Sequence, residues 1–123
     1  MAKGEVDGAA WLETLAECRA EGRLVVCAIE WAETRAGFPT AAAQAGFFER
    51  MGVYFDPSDT AVATLAGEIH DRYRGAGGKR IRLTADFLIG AHAAVRANRL
   101  ATKDDGFFRE QFRKLAVVRP GAG

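Results

Sequence analysis

Apolar residues along this chain switch between a helical spacing and short continuous runs, and the switches mark out alternating helices and strands. Residues 9–21, AAWLETLAECRAE, set Trp11, Leu12, Leu15 and Cys18 at helical spacing with acids between them, and Gly22 follows as a helix-ending residue. RLVVCAI, residues 23–29, is a β-branched apolar run that reads as a strand buried on both faces. A helix is expected from EWAETRAGF, and another from TAAAQAGFFERMG with Thr40 as its N-cap. VYFD, residues 53–56, predicts a second strand. A helix capped by Ser58 follows, with Val62, Leu65, Ile69 and Tyr73 on one face. GAGGK, residues 75–79, reads as a linker; it has no GKS or GKT and no strand before it, so it is no phosphate-binding loop. Thr84 is placed to cap an apolar helix over 85–97, in which Gly90 would allow close approach of a strand. RLAT (99–102), DGFFREQF and AVVRP then predict strand, short helix and closing strand. Short strands between helices imply an α/β domain with a mainly parallel sheet, and 123 residues suit one domain over 1–123.

Composition removes several classes of function. Hydrophobic residues make up 49% and charged residues 27%, which suits a buried core and argues against disorder. No apolar run approaches the roughly 18–20 residues that cross a bilayer, and MAKGEVDGAAWLE lacks the apolar centre of a signal peptide. Cys18 and Cys27 form no CxxC or Cys/His cluster, so they read as reduced thiols of a cytoplasmic protein rather than zinc ligands. The net charge of +1 hides an asymmetry: residues 1–60 carry five basic and ten acidic side chains, residues 61–123 twelve basic and six acidic. That balance permits contact with a polyanion through the second half.

In a parallel α/β sheet, ligands collect beyond the carboxyl ends of the strands. The acids expected there are Glu30 and Glu33, Asp56, and Asp104 with Asp105, while Asp86 opens the helix that leads into the strand at 99–102. Gathered carboxylates repel one another, and a hard divalent cation removes that cost. Each acid also has an ordinary reading. Asp86 suits the positive end of a helix dipole, Asp104 and Asp105 suit a turn before Gly106, and Glu33 suits a solvated helix face. His70 and His92 have no partner at ligand spacing and read as structural.

Taken together, LTADFLIGAHAAVRANRLATKDDGFFREQFRKLAVVRP, residues 83–120, resembles the PIN-domain nucleases, in particular the VapC-like toxins of toxin–antitoxin pairs. The likeness lies in Asp86 opening an apolar helix with Ile89, Gly90 and Ala91. It continues in Thr102, Asp104 and Phe107 as Thr-x-Asp-x-x-Phe, and in a last strand ending at Pro120. Upstream, VVCAIEWAETRAGF resembles the family's strand and Ala-Glu pair, here Ala32 and Glu33. The resemblance implies a three-layer α/β/α fold and an endoribonuclease using Mg²⁺ or Mn²⁺ to activate water. Glu33, Asp86 and Asp104 would be its metal ligands, and Thr102 would orient a carboxylate or bound water. Asp105 ranks below Asp104, and Glu30, one turn before Glu33, is a substitute for it. A cognate antitoxin, an RNA substrate and a homodimer are implied as partners.

The sequence departs from the family at its start. The family opens on an apolar strand bearing an Asp in the middle of the sheet, and nothing of that kind precedes Trp11; Asp7 has one apolar neighbour and no strand-length run. The expectation is a fold lacking that strand and its Asp, with a gap lined by unpaired backbone groups. A second expectation follows, of another class: a catalytically inactive remnant that binds an antitoxin or other protein through the uncovered apolar surface.

Overall fold

The computed structural model describes residues 2–78 and 84–121, so the end of the predicted linker and the cap position ahead of Thr84 lie outside the described residues. Helix α1 (Ala2–Glu21) starts well before residue 9. Its first turns hold Ala, Lys and Glu, which favour helix without any apolar periodicity to reveal it. Strand β1 (Leu24–Val26) is shorter than the apolar run around it, because α2 (Ala28–Thr34) has already begun. The cause is local. The Glu30 carboxylate accepts the Cys27 backbone N–H at 3.1 Å, forming a capping box that turns the chain into helix at Cys27. One 3-10 turn, Arg35–Gly37, continues α2.

Helix α3 (Ala41–Met51) is capped by Thr40 as predicted, its hydroxyl accepting the Ala43 N–H at 3.0 Å. Gly52 ends it at φ 71°, a left-handed conformation, and the Arg19 guanidinium occupies the space a Cβ would need. Strand β2 (Val53–Phe55) leads to α4 (Thr60–Gly75), whose cap is Asp59 rather than Ser58: the Asp59 carboxylate accepts the Val62 N–H at 3.0 Å. Both residue types cap well, and only the register of the helix separates them. Helix α5 (Thr84–Arg96) contains Thr84 as its first residue instead of being capped by it. Strand β3 (Arg99–Ala101), helix α6 (Asp105–Gln111) and strand β4 (Ala116–Val118) complete the order.

The result is a mostly helical α/β fold with parallel strands, as the sequence implies. The strands form two separate parallel pairs: β1 with β2, Val25 opposite Tyr54, and β3 with β4, Leu100 opposite Val117. Each ladder gains one further bond past its end, Asp56 N–H to Val26 C=O at 2.9 Å and Thr102 N–H to Val118 C=O at 3.0 Å. Among the described residues no ladder joins β1 to β3, and Ala2–Glu21 ahead of β1 form helix α1.

The core lies under the second pair. Helices α4 and α5 pack along each other, and Val62 and Ile69 of the predicted α4 face are buried against Phe87 and Ala91, with Leu65 and Tyr73 half-buried beside them. Phe108, Phe112 and Val117 close the cluster from α6 and β4. Gly90 is a site of close approach, but to the ring of Phe112 rather than to a strand; a Cβ there would overlap it. Gly90→Ala is therefore expected to destabilise the domain by about 1–3 kcal/mol through overpacking. The urea midpoint should fall accordingly, and an unchanged midpoint would show that the Phe112 ring yields freely.

Candidate functional site

Each acid singled out in the sequence has a definite place. Glu30 is committed to the α2 capping box. Glu33, one turn on, is exposed, as is its neighbour Ala32. Glu30 thus holds the start of its helix, whereas Glu33 faces solvent. Asp86 is half-buried in the first turn of α5, immediately before the fully buried Phe87. In that turn it also favours the helix dipole, so its ordinary role is geometrically met.

The Thr-x-Asp pattern forms a compact turn beyond the end of β3. The half-buried Thr102 hydroxyl accepts the Asp104 backbone N–H at 3.1 Å. Asp104 occupies the cap position of α6, yet its carboxylate makes no capping hydrogen bond. Asp105 instead sits inside the helix and pairs with two guanidinium groups, Arg109 at 3.4 Å and Arg119 at 3.7 Å. The two neighbouring acids thus differ in place, Asp104 at the cap position and Asp105 within the helix on two ion pairs.

Asp56 proves to be a structural acid. Arg96 grips it with two hydrogen bonds, Nε to Oδ2 at 3.0 Å and an amino nitrogen to Oδ1 at 2.9 Å. The buried His92 donates from Nε2 to Oδ2 at 2.8 Å. Together they tie the end of β2 to α5. The Arg96 hydrogen bonds lower the Asp56 pKa from 3.8 to about 2, with the His92 bond adding to the effect and burial opposing it. Because the folded value lies below the unfolded one, the cluster stabilises the fold fully above pH about 4 and ceases to as the pH falls through about 2. Denaturant midpoints of the wild type and Asp56→Asn should then differ most at neutral pH and converge between pH about 4 and 2. A constant difference across that range would contradict the assignment.

The remaining candidates are structural as well. His70 stacks on Phe87, ring centroids 4.5 Å apart. Both cysteines are free, and burial pushes the Cys27 thiol up to about 11, which leaves it protonated and unreactive at neutral pH. Sequence reasoning did not find the Asp56–His92–Arg96 cluster. Its signal was limited to a His and an Arg four residues apart on one helix.

Oxygen donors such as Glu33, Asp86 and Asp104 suit a hard divalent ion. The described residues do not, however, fit such an ion as they stand: among them, no group of three or more His, Cys, Asp or Glu side chains could hold a metal. The structure thus couples Thr102 to Asp104 but does not gather the three predicted acids into an ion-binding set.

The PIN domain model matches residues 1–112. Among solved structures, the chain is similar to one described as the structure of FitAB bound to an IR36 DNA fragment. The identity is 25% and the TM-score 0.60, covering 93% of this chain and 82% of the other. No curated relative is matched by sequence.

Proposed function

The chain belongs to the PIN domain family, and from that premise we propose that it is a PIN-type endoribonuclease, the toxin component of a toxin–antitoxin pair, VapC-like in kind. The family resemblance makes RNA the substrate and Mg²⁺ or Mn²⁺ the cofactor, with Glu33, Asp86 and Asp104, which the described residues do not gather into one set, as the acids that would hold the ion, and Thr102 as the residue that positions Asp104. The observation that carries this reading is the Thr102–Asp104 turn: a hydroxyl fixes the backbone of an acid beyond the carboxyl end of a parallel strand, where ligands of such sheets collect. PIN domains are generally dependent on divalent metals, which supports the cofactor. The likeness to FitAB, solved on a DNA fragment, supports a working environment of protein and nucleic acid. No helix among the described residues is long and apolar enough to cross a membrane, in keeping with a cytoplasmic site of action.

A second reading has its own observations. The predicted acids do not form an ion-holding group among the described residues. At the same time Phe47, Tyr54 and Phe55 of α3 and β2 are 37%, 56% and 50% exposed, an apolar surface suited to a protein partner. This favours a catalytically inactive PIN domain that binds an antitoxin, and the same aromatic surface would serve a homodimer.

Incubating the purified chain with labelled single-stranded RNA separates the two. Cleavage that requires Mg²⁺ or Mn²⁺ and stops with EDTA supports the nuclease. Intact RNA under every metal condition, with the chain verified as folded, assigns it to the binding class.

A further inference from the structure

A cavity of about 1010 Å³ lies between the C-terminal half of α4, the end of α5 and the segment joining α6 to β4. None of Glu33, Asp86, Thr102 or Asp104 lines it, so it is separate from the acids considered above. Its apolar lining includes Leu65, Ile69 and Leu115 together with Tyr73 and Phe112, and its cationic lining Arg72, Arg113 and Lys114, against one acid among the described residues, Glu110. The three cations are exposed, and no hydrogen bond or ion pair to another described side chain satisfies any of them. The volume sits at the upper limit of small-ligand sites, roughly 300–1,000 Å³. It matches about two turns of a helix some 10 Å across.

We propose that this groove docks an acidic amphipathic segment of a protein partner, with aliphatic side chains against Leu65, Ile69 and Leu115 and carboxylates facing Arg72, Arg113 and Lys114. Charge complementarity selects the sign of the partner. The floor favours a peptide over a nucleic acid: Leu65, Ile69 and Leu115 offer no stacking platform for bases, Phe112 is buried against Gly90, and the half-buried Tyr73 packs on Phe87, Phe107 and Gly78, whereas single-strand binders rely on open aromatic faces. A leucine-bearing helix face, by contrast, gains from burial against such a floor.

The probe is a fluorescein-labelled synthetic peptide with Leu at i, i+3, i+4 and i+7 and Glu at the remaining positions, titrated into the full chain by anisotropy. A control peptide carries Lys in place of Glu. The expected result is saturable binding of the Glu peptide and none of the Lys peptide. Affinity should fall by about tenfold or more in the Arg72→Glu, Arg113→Glu double variant, where like charges face each other. Circular dichroism checks that this variant is folded, and if it is not, Arg113→Gln with Lys114→Gln replaces it, with a smaller loss expected. Equal binding of both peptides, or affinity indifferent to these substitutions, overturns the proposal. So does an inert Glu peptide alongside a single-stranded RNA whose binding is lost in the same variants, which would make the groove a nucleic-acid surface. Self-association abolished by those variants, again with an inert peptide, would assign it to a second copy. These readouts do not involve cleavage, so they stand or fall separately from the nuclease reading.

Discussion

Phe87→Ala is expected to lower the stability of the domain by about 3–5 kcal/mol, the range for truncating a fully buried Phe. Phe87 has no exposure and is the ring around which the core is arranged. His70 stacks on it at 4.5 Å, Tyr73 lies at 5.4 Å, and Phe107 meets it edge-on at 5.3 Å. Removing the ring opens a cavity where α4, α5 and α6 meet, and aromatic neighbours that have lost their partner cannot collapse into it without moving their helices. A domain of this size has about 5–15 kcal/mol in total, so the variant should populate unfolded chain at modest urea or heat. Urea denaturation followed by circular dichroism checks this; a loss below about 1 kcal/mol would mean that the core repacks around the gap. The substitution also bears on the acids, because Asp86 directly precedes Phe87. Burial of that ring fixes where the first turn of α5, and hence the Asp86 carboxylate, stands.

Much of the element order was readable from local chemistry, and what was missed depended on contacts between distant residues or on register. Thr40 was found because a good cap precedes an alanine-rich run without competitors. The cap of α4 falls on Asp59 and not on the expected Ser58 because both residues cap, and one residue of register decides between them. The apolar run at 23–29 looked like one long strand because the reciprocal bond between Cys27 and Glu30, which ends it, leaves no trace in hydrophobicity. The early start of α1 was invisible for the same reason: Gly4, Val6 and Asp7 give no helical stripe. The Asp56 cluster joins residues 36 and 40 positions apart, beyond any periodicity. For the candidate site, Glu33, Asp86, Thr102 and Asp104 were picked out through the family pattern alone, with Thr102 expected to orient a carboxylate or a water; the bond it makes instead to the Asp104 backbone is a local one of the kind Thr favours. Whether acids from α2, α5 and the start of α6 meet is a property of how those elements pack. Spacing along the chain carries no information about it.

The roles of the acids therefore need a test by function. If Glu33, Asp86 and Asp104 hold a catalytic ion, neutralising Asp86 or Asp104 removes a charge that the ion requires, and cleavage should fall on the order of 100-fold or more. Asp105→Asn provides the contrast. It lies next to Asp104 but is engaged by Arg109 and Arg119, so its loss should weaken two ion pairs of small worth and leave the rate nearly unchanged. Thr102→Val should fall between the two, because it releases the Asp104 backbone without removing the carboxylate. The most direct measurement is the initial rate of RNA cleavage in Mg²⁺ for the wild-type chain, Glu33→Gln, Asp86→Asn, Asp104→Asn and Asp105→Asn, each shown to be folded. The expected outcome is metal-dependent cleavage that is lost in the first three variants and kept in Asp105→Asn. Cleavage that persists in Asp86→Asn and Asp104→Asn, or is absent from the folded wild type, would contradict it.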